Sequence, residues 1–304
     1  MYAKGQNFIV LVSLLCAGAA ATFAKANAQA GVTLTVGLVT PVEPVANALA
    51  VSRGVRLGAA EARETATLFG GSVLFFEQAA DNGPEAAAAK LLAQRKVDVL
   101  VAAASDEAEV LSRFAEKHGV IFINTVSRSS ALRAACRRNT FHVEVSDSMY
   151  ASVLRHANAG GRIDSAVLWD ASLERYGASQ INARYRDKYR VPMDAGAWAG
   201  WVAVKIAAEA ALRARSSRAP AIRSYLETPS TSFDGHKGWP LGFRSGDHQL
   251  RQPLYVLMHP MTGGAKVRDV PPLTALGDGG KSVTPARLLD QVMPPTTSCV
   301  RSRT

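Results

Sequence analysis

Few side chains in this chain are spaced for chemistry, and the sets that are speak mostly of binding. His236 and His248 flank a stretch rich in turn residues, with Asp234 and Asp247 beside them. Imidazoles and carboxylates together can ligate a metal, but Asp beside Gly and His is more ordinary turn chemistry. Gly279-Gly280-Lys281-Ser282 imitates the end of a phosphate loop, yet Ala275 stands where its first glycine is required, and we reject it. No G-x-S-x-G, H-E-x-x-H or C-x-x-C run occurs, so no nucleophile, metal-hydrolase or redox motif supports an enzyme, and no catalytic or metal residue is expected. Polar residues that follow short apolar runs remain: Thr40, Ser105, Asp106, Thr125 and Ser127. Hydroxyls there can hydrogen-bond a carboxylate, helped by the free amides of a helix N-terminus. The same residues also suit structural duties, Ser105 as a helix N-cap and Asp81-Asn82-Gly83 as a turn. Trp198 and Trp201 share a helical stretch with Val202, Ile206 and Leu212, which is core spacing; the sharper alternative is a platform for an aromatic ligand.

These candidates have meaning only if the elements before them are strands. Residues 32–39, 72–77, 97–103 and 120–125 are short, apolar and largely β-branched, and helical stretches at 51–67, 84–95 and 105–118 separate them. Pro84 suits a first helical position and Gly119 a helix stop. Such alternation predicts βαβ units and a mainly parallel sheet. Ligands of such sheets sit outside the carboxyl ends of the strands, where the five polar candidates fall. The second half is poorer in strands. Residues 141–145 suit a strand and 147–158 a helix, then Gly160-Gly161 breaks the pattern before a short apolar run at 166–169. Residues 173–189, 195–214 and 220–226 suit helices, 240–244 and 250–258 a hairpin, and the chain from 260 reads as an extended or disordered tail.

The chain has 304 residues, 48% of them hydrophobic and 20% charged, enough to bury a core and unlike a disordered or fibrous protein. Residues 1–28 read as a cleavable export signal: Lys4, an apolar run from Phe8 to Leu15, then Ala26-Asn27-Ala28 as the cleavage site. Leu15 before Cys16 does not fit a lipid-attachment site. Export permits disulfides, and Cys136 and Cys299 are the cysteines left to form one; two buried thiols are the alternative. The formal net charge is +10, unevenly spread: residues 29–130 carry −2 and residues 131–304 carry +10. A basic half can draw an anionic ligand, a membrane surface or an acidic partner, though a solvated Arg-rich face is the plainer reading. Nucleic-acid binding is not expected, because the basic residues are not interleaved with aromatics in any known module pattern.

The order of these features resembles the type I periplasmic solute-binding proteins of ABC transporters for branched-chain amino acids and amides. The likeness rests on the export signal, the alternating run to Thr125 and the late stretch Phe233-Asp234-Gly235-x-Lys237-Gly238, Phe243-Arg244, Asp247 and Gln252-Pro253. Within that group the chain is most similar to the binding proteins associated with alcohol dehydrogenase systems dependent on pyrroloquinoline quinone (PQQ). This likeness is carried by Leu132-Arg133-x-x-Cys136-Arg137, Leu173-Glu174-Arg175-Tyr176-Gly177-Ala178, Trp198-x-x-Trp201, Gln249-Leu250-Arg251-Gln252-Pro253 and Cys299. The resemblance implies an α/β, Rossmann-like fold of two lobes closing on a solute, and no enzymatic activity. The strand–helix repeats of the second lobe are missing between about residues 157 and 165, so that lobe is expected to be shortened. The expected layout is a signal peptide at 1–28, a first lobe at 29–130, a truncated second lobe with crossovers at 131–259 and a tail at 260–304. The implied function is periplasmic capture of a small polar or anionic solute, such as PQQ, an amino acid or an alcohol-derived acid, for an ABC permease. The alternative is an accessory protein docking to a periplasmic dehydrogenase.

Overall fold

The computed structural model describes residues 31–43, 45–157, 163–258, 266–269, 289–291, 293–295 and 299. The proposed export signal and the rejected Gly279–Ser282 run lie outside the described residues. No described helix is long and apolar enough to cross a membrane.

Five parallel strands form the main sheet: β1 (Thr33–Thr40), β2 (Ser72–Ala79), β3 (Val99–Ala102), β4 (Ile121–Asn124) and β5 (Thr140–His142). Their order is β2-β1-β3-β4-β5, the doubly wound order. Val36, Leu38, Val39, Val99, Leu100 and Val101 are fully buried, as strands covered on both faces must be. The connecting helices are α1 (Ala46–Leu68), α2 (Pro84–Arg95), α3 (Ala108–His118) and the short α4 (Ser130–Ala134). Pro84 opens α2, and Gly119 ends α3 in the left-handed conformation.

Among the boundaries that differ from expectation, two bear on the strand ends and the late sheets. Ser105 does not cap α3: residues 105–107 form a turn closed by the Ala108 amide on the Ser105 carbonyl, and Glu107, already helical in backbone angles, precedes the helix. The expected late hairpin also divides. β8 (Pro240–Phe243) pairs with β9 (Leu250–Arg251), but after Gln252 and Pro253 the chain leaves as β10 (Tyr255–Met258). β10 pairs antiparallel with β6 (Ile163–Val167) on one side and β11 (Lys266–Asp269) on the other. Proline cannot donate to a sheet ladder, so Pro253 is a natural point of departure. β11 falls in the stretch expected to be a loose tail, and it is a paired strand.

Beyond the main sheet the described residues therefore hold only small antiparallel sheets, of order β11-β10-β6 and β7-β8-β9, with β7 at Phe233–Asp234. Helices α5 (Asp147–Ala157), α6 (Ala178–Tyr189), α7 (Ala195–Ala214) and α8 (Ala219–Glu227) complete the second half. α7 begins where the sequence predicts because Asp194 caps it, accepting from the Ala197 amide at 2.8 Å. It then packs directly on α1. Gly54 and Gly58 of α1 meet the backbone of Ala197 and Trp201, while Gly196 and Gly200 of α7 meet Asn47, Val51 and Val55. Trp198 and Trp201 are buried, as core spacing implies: their indole N–H groups donate to the Gly235 carbonyl and to Glu61. They are not a platform for a ligand.

Two cross-links tie the end of the chain to this body. Cys136 and Cys299 form a disulfide. Asp290 accepts from Arg244 and Arg251, while Arg244 also pairs with the buried Asp247.

Candidate functional site

In a doubly wound sheet a crevice opens where neighbouring connections leave in opposite directions, here between the ends of β1 and β3. Thr40, half-buried, ends β1; Ser105 and Asp106, both exposed, follow β3 in the turn before α3. Three of the five candidates thus flank the switch point. Thr125 and Ser127 follow β4 one strand further on, and both are buried.

Local bonding separates these residues. The Thr125 hydroxyl donates to the Ala102 carbonyl at 2.9 Å, tying the end of β4 to the end of β3. Asn124 makes a turn beneath Ser127: its side-chain oxygen accepts from the Val126 and Ser127 amides, and its amide nitrogen donates to the Ser127 carbonyl at 2.8 Å. The Ser127 hydroxyl accepts from the Ser129 amide at 3.4 Å. Ser129, not Ser127, caps the following helix, accepting from the Leu132 amide.

The β4 and β5 loops are held from beneath by Arg133, which is buried. It donates to the Ser127, Ser129 and Glu144 carbonyls and to the side chain of Gln249. Gln249 passes its own amide protons to the His142 and Glu144 carbonyls, so the late β8–β9 segment braces the end of β5. Glu144 is fully enclosed and burial raises its pKa. It accepts from the Tyr150 hydroxyl and the Val145 amide, and Arg128 lies 3.8 Å away, stacked over the Tyr150 ring.

Glu107 is the group that sequence reasoning passed over. It is only 3% exposed although it ends an otherwise solvent-facing turn. One carboxyl oxygen accepts from the Ala104 amide at 3.1 Å; the other is buried with no hydrogen-bond partner among the described residues. Burial pushes its pKa up to about 7, against the backbone hydrogen bonds that lower it. The signal available in the sequence was its place, directly after Ser105 and Asp106 in a strand-to-helix turn.

The other sequence candidates lie in the body. His248 is buried, stacked on Phe141, with its ring nitrogens 2.9 Å from the Thr140 carbonyl and 2.8 Å from Glu227. His236 stacks on Trp201 and faces the Tyr176 carbonyl, so the stretches around Tyr176-Gly177 and His236-Lys237 meet. No group of three metal-ligating side chains occurs among the described residues. Lys237 is buried too: its ammonium donates to Gln252 and to the Leu168 and Pro253 carbonyls and lies 3.9 Å from the Trp198 ring centre.

Comparison with known proteins agrees with this geometry. The family model described as periplasmic binding protein matches residues 33–172. No curated protein matches the chain. Among solved structures, the branched-chain amino acid transporter substrate-binding protein of Streptococcus pneumoniae, bound to isoleucine, is similar at a TM-score of 0.63 and 14% identity, over 78% of this chain and 99% of that one. A leucine-binding protein of Thermotoga maritima matches at a TM-score of 0.63 and 12% identity, over 79% and 99%. A solute-binding protein of an ABC transporter from Rhodopseudomonas palustris, in complex with 3,4-dihydroxybenzoic acid, matches at a TM-score of 0.62 and 9% identity, over 78% and 98%. The parallel sheet, its strand order and these likenesses give the chain the type I periplasmic-binding-protein fold, with small antiparallel sheets in its second half.

Proposed function

We propose that the protein is a periplasmic solute-binding protein of the ABC-transporter kind, taking a small polar solute at the carboxyl edge of its parallel sheet and delivering it to a membrane permease. The observation that carries this reading is the strand order β2-β1-β3-β4-β5, with Thr40, Ser105 and Asp106 at the point where it reverses. The family model and the expected export signal support the compartment. A link to PQQ-dependent alcohol oxidation, with PQQ or an alcohol-derived acid as solute, rests on the sequence resemblance and on the basic second half of the chain.

A second reading is a docking protein of a periplasmic dehydrogenase. Val42 and Val45, 60% and 62% exposed, favour it, because they put an apolar rim beside the same edge. Stoichiometric co-purification with a quinoprotein dehydrogenase would support that reading.

The test is a thermal melt of the purified protein with PQQ, branched-chain amino acids, amides, and short alcohols with their acids and amines. A solute at about 100 times its dissociation constant adds about 2.7 kcal/mol. That raises the midpoint of a chain this size by roughly 5–10 °C. A cooperative melt that no solute moves would overturn the solute-binding reading.

A further inference from the structure

An outermost strand left uncovered offers a row of unpaired backbone groups to another strand. The main sheet has two outermost strands, β2 and β5. β5 is three residues long and its flank is taken: the His142 amide donates to the His248 carbonyl at 2.9 Å. β2 is eight residues long and pairs with β1 alone, in an unbroken register. It holds no lysine, arginine or proline, the residues that commonly blunt such a strand. Its one charged side chain, Glu77, is bonded at 2.6 Å to Arg56 of α1. Leu68 and Phe69, 83% and 72% exposed, directly precede β2 and are the most exposed large apolar side chains among the described residues; Leu74, within β2, is exposed too.

The register fixes which backbone groups of β2 face outward. The Ser72 and Ala80 amides donate to the Val32 and Thr40 carbonyls. Backbone groups alternate sides along a paired strand, so the even-numbered residues face β1, and Val73, Phe75, Glu77 and Ala79 face away. The chain closes both ends of this outer row itself. The Arg63 side chain donates to the Val73 carbonyl at 3.1 Å, and the Gln78 side chain to the Ala79 carbonyl at 3.0 Å. Between them, the amides and carbonyls of Phe75 and Glu77 have no hydrogen-bond partner among the described residues. These two residues flank Phe76 symmetrically, which is what pairing with an identical strand requires.

We propose that two copies of this chain associate through β2, antiparallel about a two-fold axis beside Phe76, joining their main sheets into one. Phe75 of each copy then exchanges both of its backbone bonds with Glu77 of the other, and all the open groups are satisfied. Phe76 stands opposite Phe76 in a non-hydrogen-bonded pair, where side chains approach most closely. Leu74 stands opposite Gln78 on the same face. Antiparallel pairing also turns the strand directions of the two copies against each other, so their switch-point crevices open in opposite directions. The proposal does not depend on which solute is bound.

The experiment is sedimentation velocity on the full chain at concentrations up to about 0.1 mM, with Phe76→Lys as the interface variant. The expected result is a concentration-dependent dimer. Phe76→Lys sets two ammonium groups face to face across the axis and should weaken it by roughly tenfold or more. Cross-linking fixes the register, in a Cys16→Ser background. The two Phe76 Cα atoms lie about 4.5 Å apart in such a pair, within reach of a disulfide, so Phe76→Cys should oxidise to a covalent dimer. The two Leu74 positions are offset by about 13 Å along the strands, so Leu74→Cys should not. Should the Phe76 variants fail to fold, a mixture of Leu74→Cys and Gln78→Cys chains should cross-link where neither does alone. A wild type that stays monomeric overturns the proposal, whether or not a strand of another protein pairs there. So does a dimer unchanged in Phe76→Lys, which would lie on another surface, and so does cross-linking as efficient through Leu74→Cys alone as through Phe76→Cys.

Discussion

Replacing Gly54 by alanine separates two effects of opposite sign. In an exposed helix, Gly→Ala gains about 1 kcal/mol because glycine loses the most backbone freedom on folding. Gly54 lies on the face of α1 that meets α7, and a Cβ built there falls 1.9 Å from the Ala197 carbonyl oxygen and 2.8 Å from its carbon. Both atoms are backbone, so no rotamer change relieves the overlap; the helices must part by more than 1 Å. The same approach recurs at Gly58 and Gly200, 2.6 and 2.5 Å from the Trp201 and Val51 carbonyl oxygens, so parting at one point opens the whole seam. Overpacking of this kind costs roughly 1–3 kcal/mol and at times more. Here the neighbour cannot yield locally, so the upper end applies and outweighs the propensity gain, leaving a net loss of about 2 kcal/mol. For a chain of this length that lowers the melting midpoint by roughly 4–8 °C. Differential scanning calorimetry of Gly54→Ala beside Gly246→Ala is the assay, since the latter Cβ meets no heavy atom within 4 Å. The control should move by less than about 0.5 kcal/mol. A Gly54→Ala protein as stable as wild type, or more so, would refute the close seam.

Three further changes test other parts of the structure. Glu107 has its folded pKa raised from 4.5 to about 7, so its neutral form suits the fold; that contribution is whole below pH 4.5 and lost as pH rises through 7. Glu107→Gln, neutral throughout, should therefore match wild type in denaturant melts at pH 4 and exceed it by up to about 3 kcal/mol at pH 8; a difference that does not change with pH contradicts the shift. Cys136→Ser opens a loop with a sequence separation of 163, worth about 5 kcal/mol in the loop-entropy model, and should match the stability of reduced wild type. Lys237→Met keeps the apolar stem but takes the donor from Gln252, Leu168 and Pro253, at a cost of about 2 kcal/mol or more in urea melts.

What the sequence revealed tracks how local each cause is. α7 was legible at both ends because Asp194 supplies its cap and an Ala-rich, largely apolar run fills it. α1 starts five residues before the expected 51, at Ala46, because its N-cap is Val45, a residue with no capping side chain to announce it. The four first-half strands were legible since buried parallel strands are plain apolar runs. The splitting of the late hairpin was not, because β10 finds its partners in β6 and β11, far away in the chain. At the site, the position of Thr40, Ser105 and Asp106 followed from strand ends alone. The internal duty of the Thr125 hydroxyl depended on the spacing between β3 and β4, which only the folded sheet defines. The glycine pairs at 54 and 58 and at 196 and 200 were a readable signal of close helix packing that periodicity alone did not bring out.

The balance of charge carries the same distinction into function. A net charge of +10 reads as attraction for anions, and summed over the chain it does act at long range to steer them. A solute in the crevice feels chiefly the groups within a few ångströms, because solvent and salt screen the rest over about 8–10 Å. The basic surplus falls in residues 131–304, and its member beneath the β4 and β5 loops, Arg133, is spent on internal bonds. Glu43, Asp81, Asp106 and Glu107 sit in the loops that bound the switch point. Ionic strength separates the two scales: a solute held by short-range contacts at the strand ends should lose little affinity between 50 and 500 mM salt, whereas one drawn by the basic half should lose most of it. Strong salt dependence together with a preference for acids would mean that the chain-wide field, and not the edge, selects the ligand.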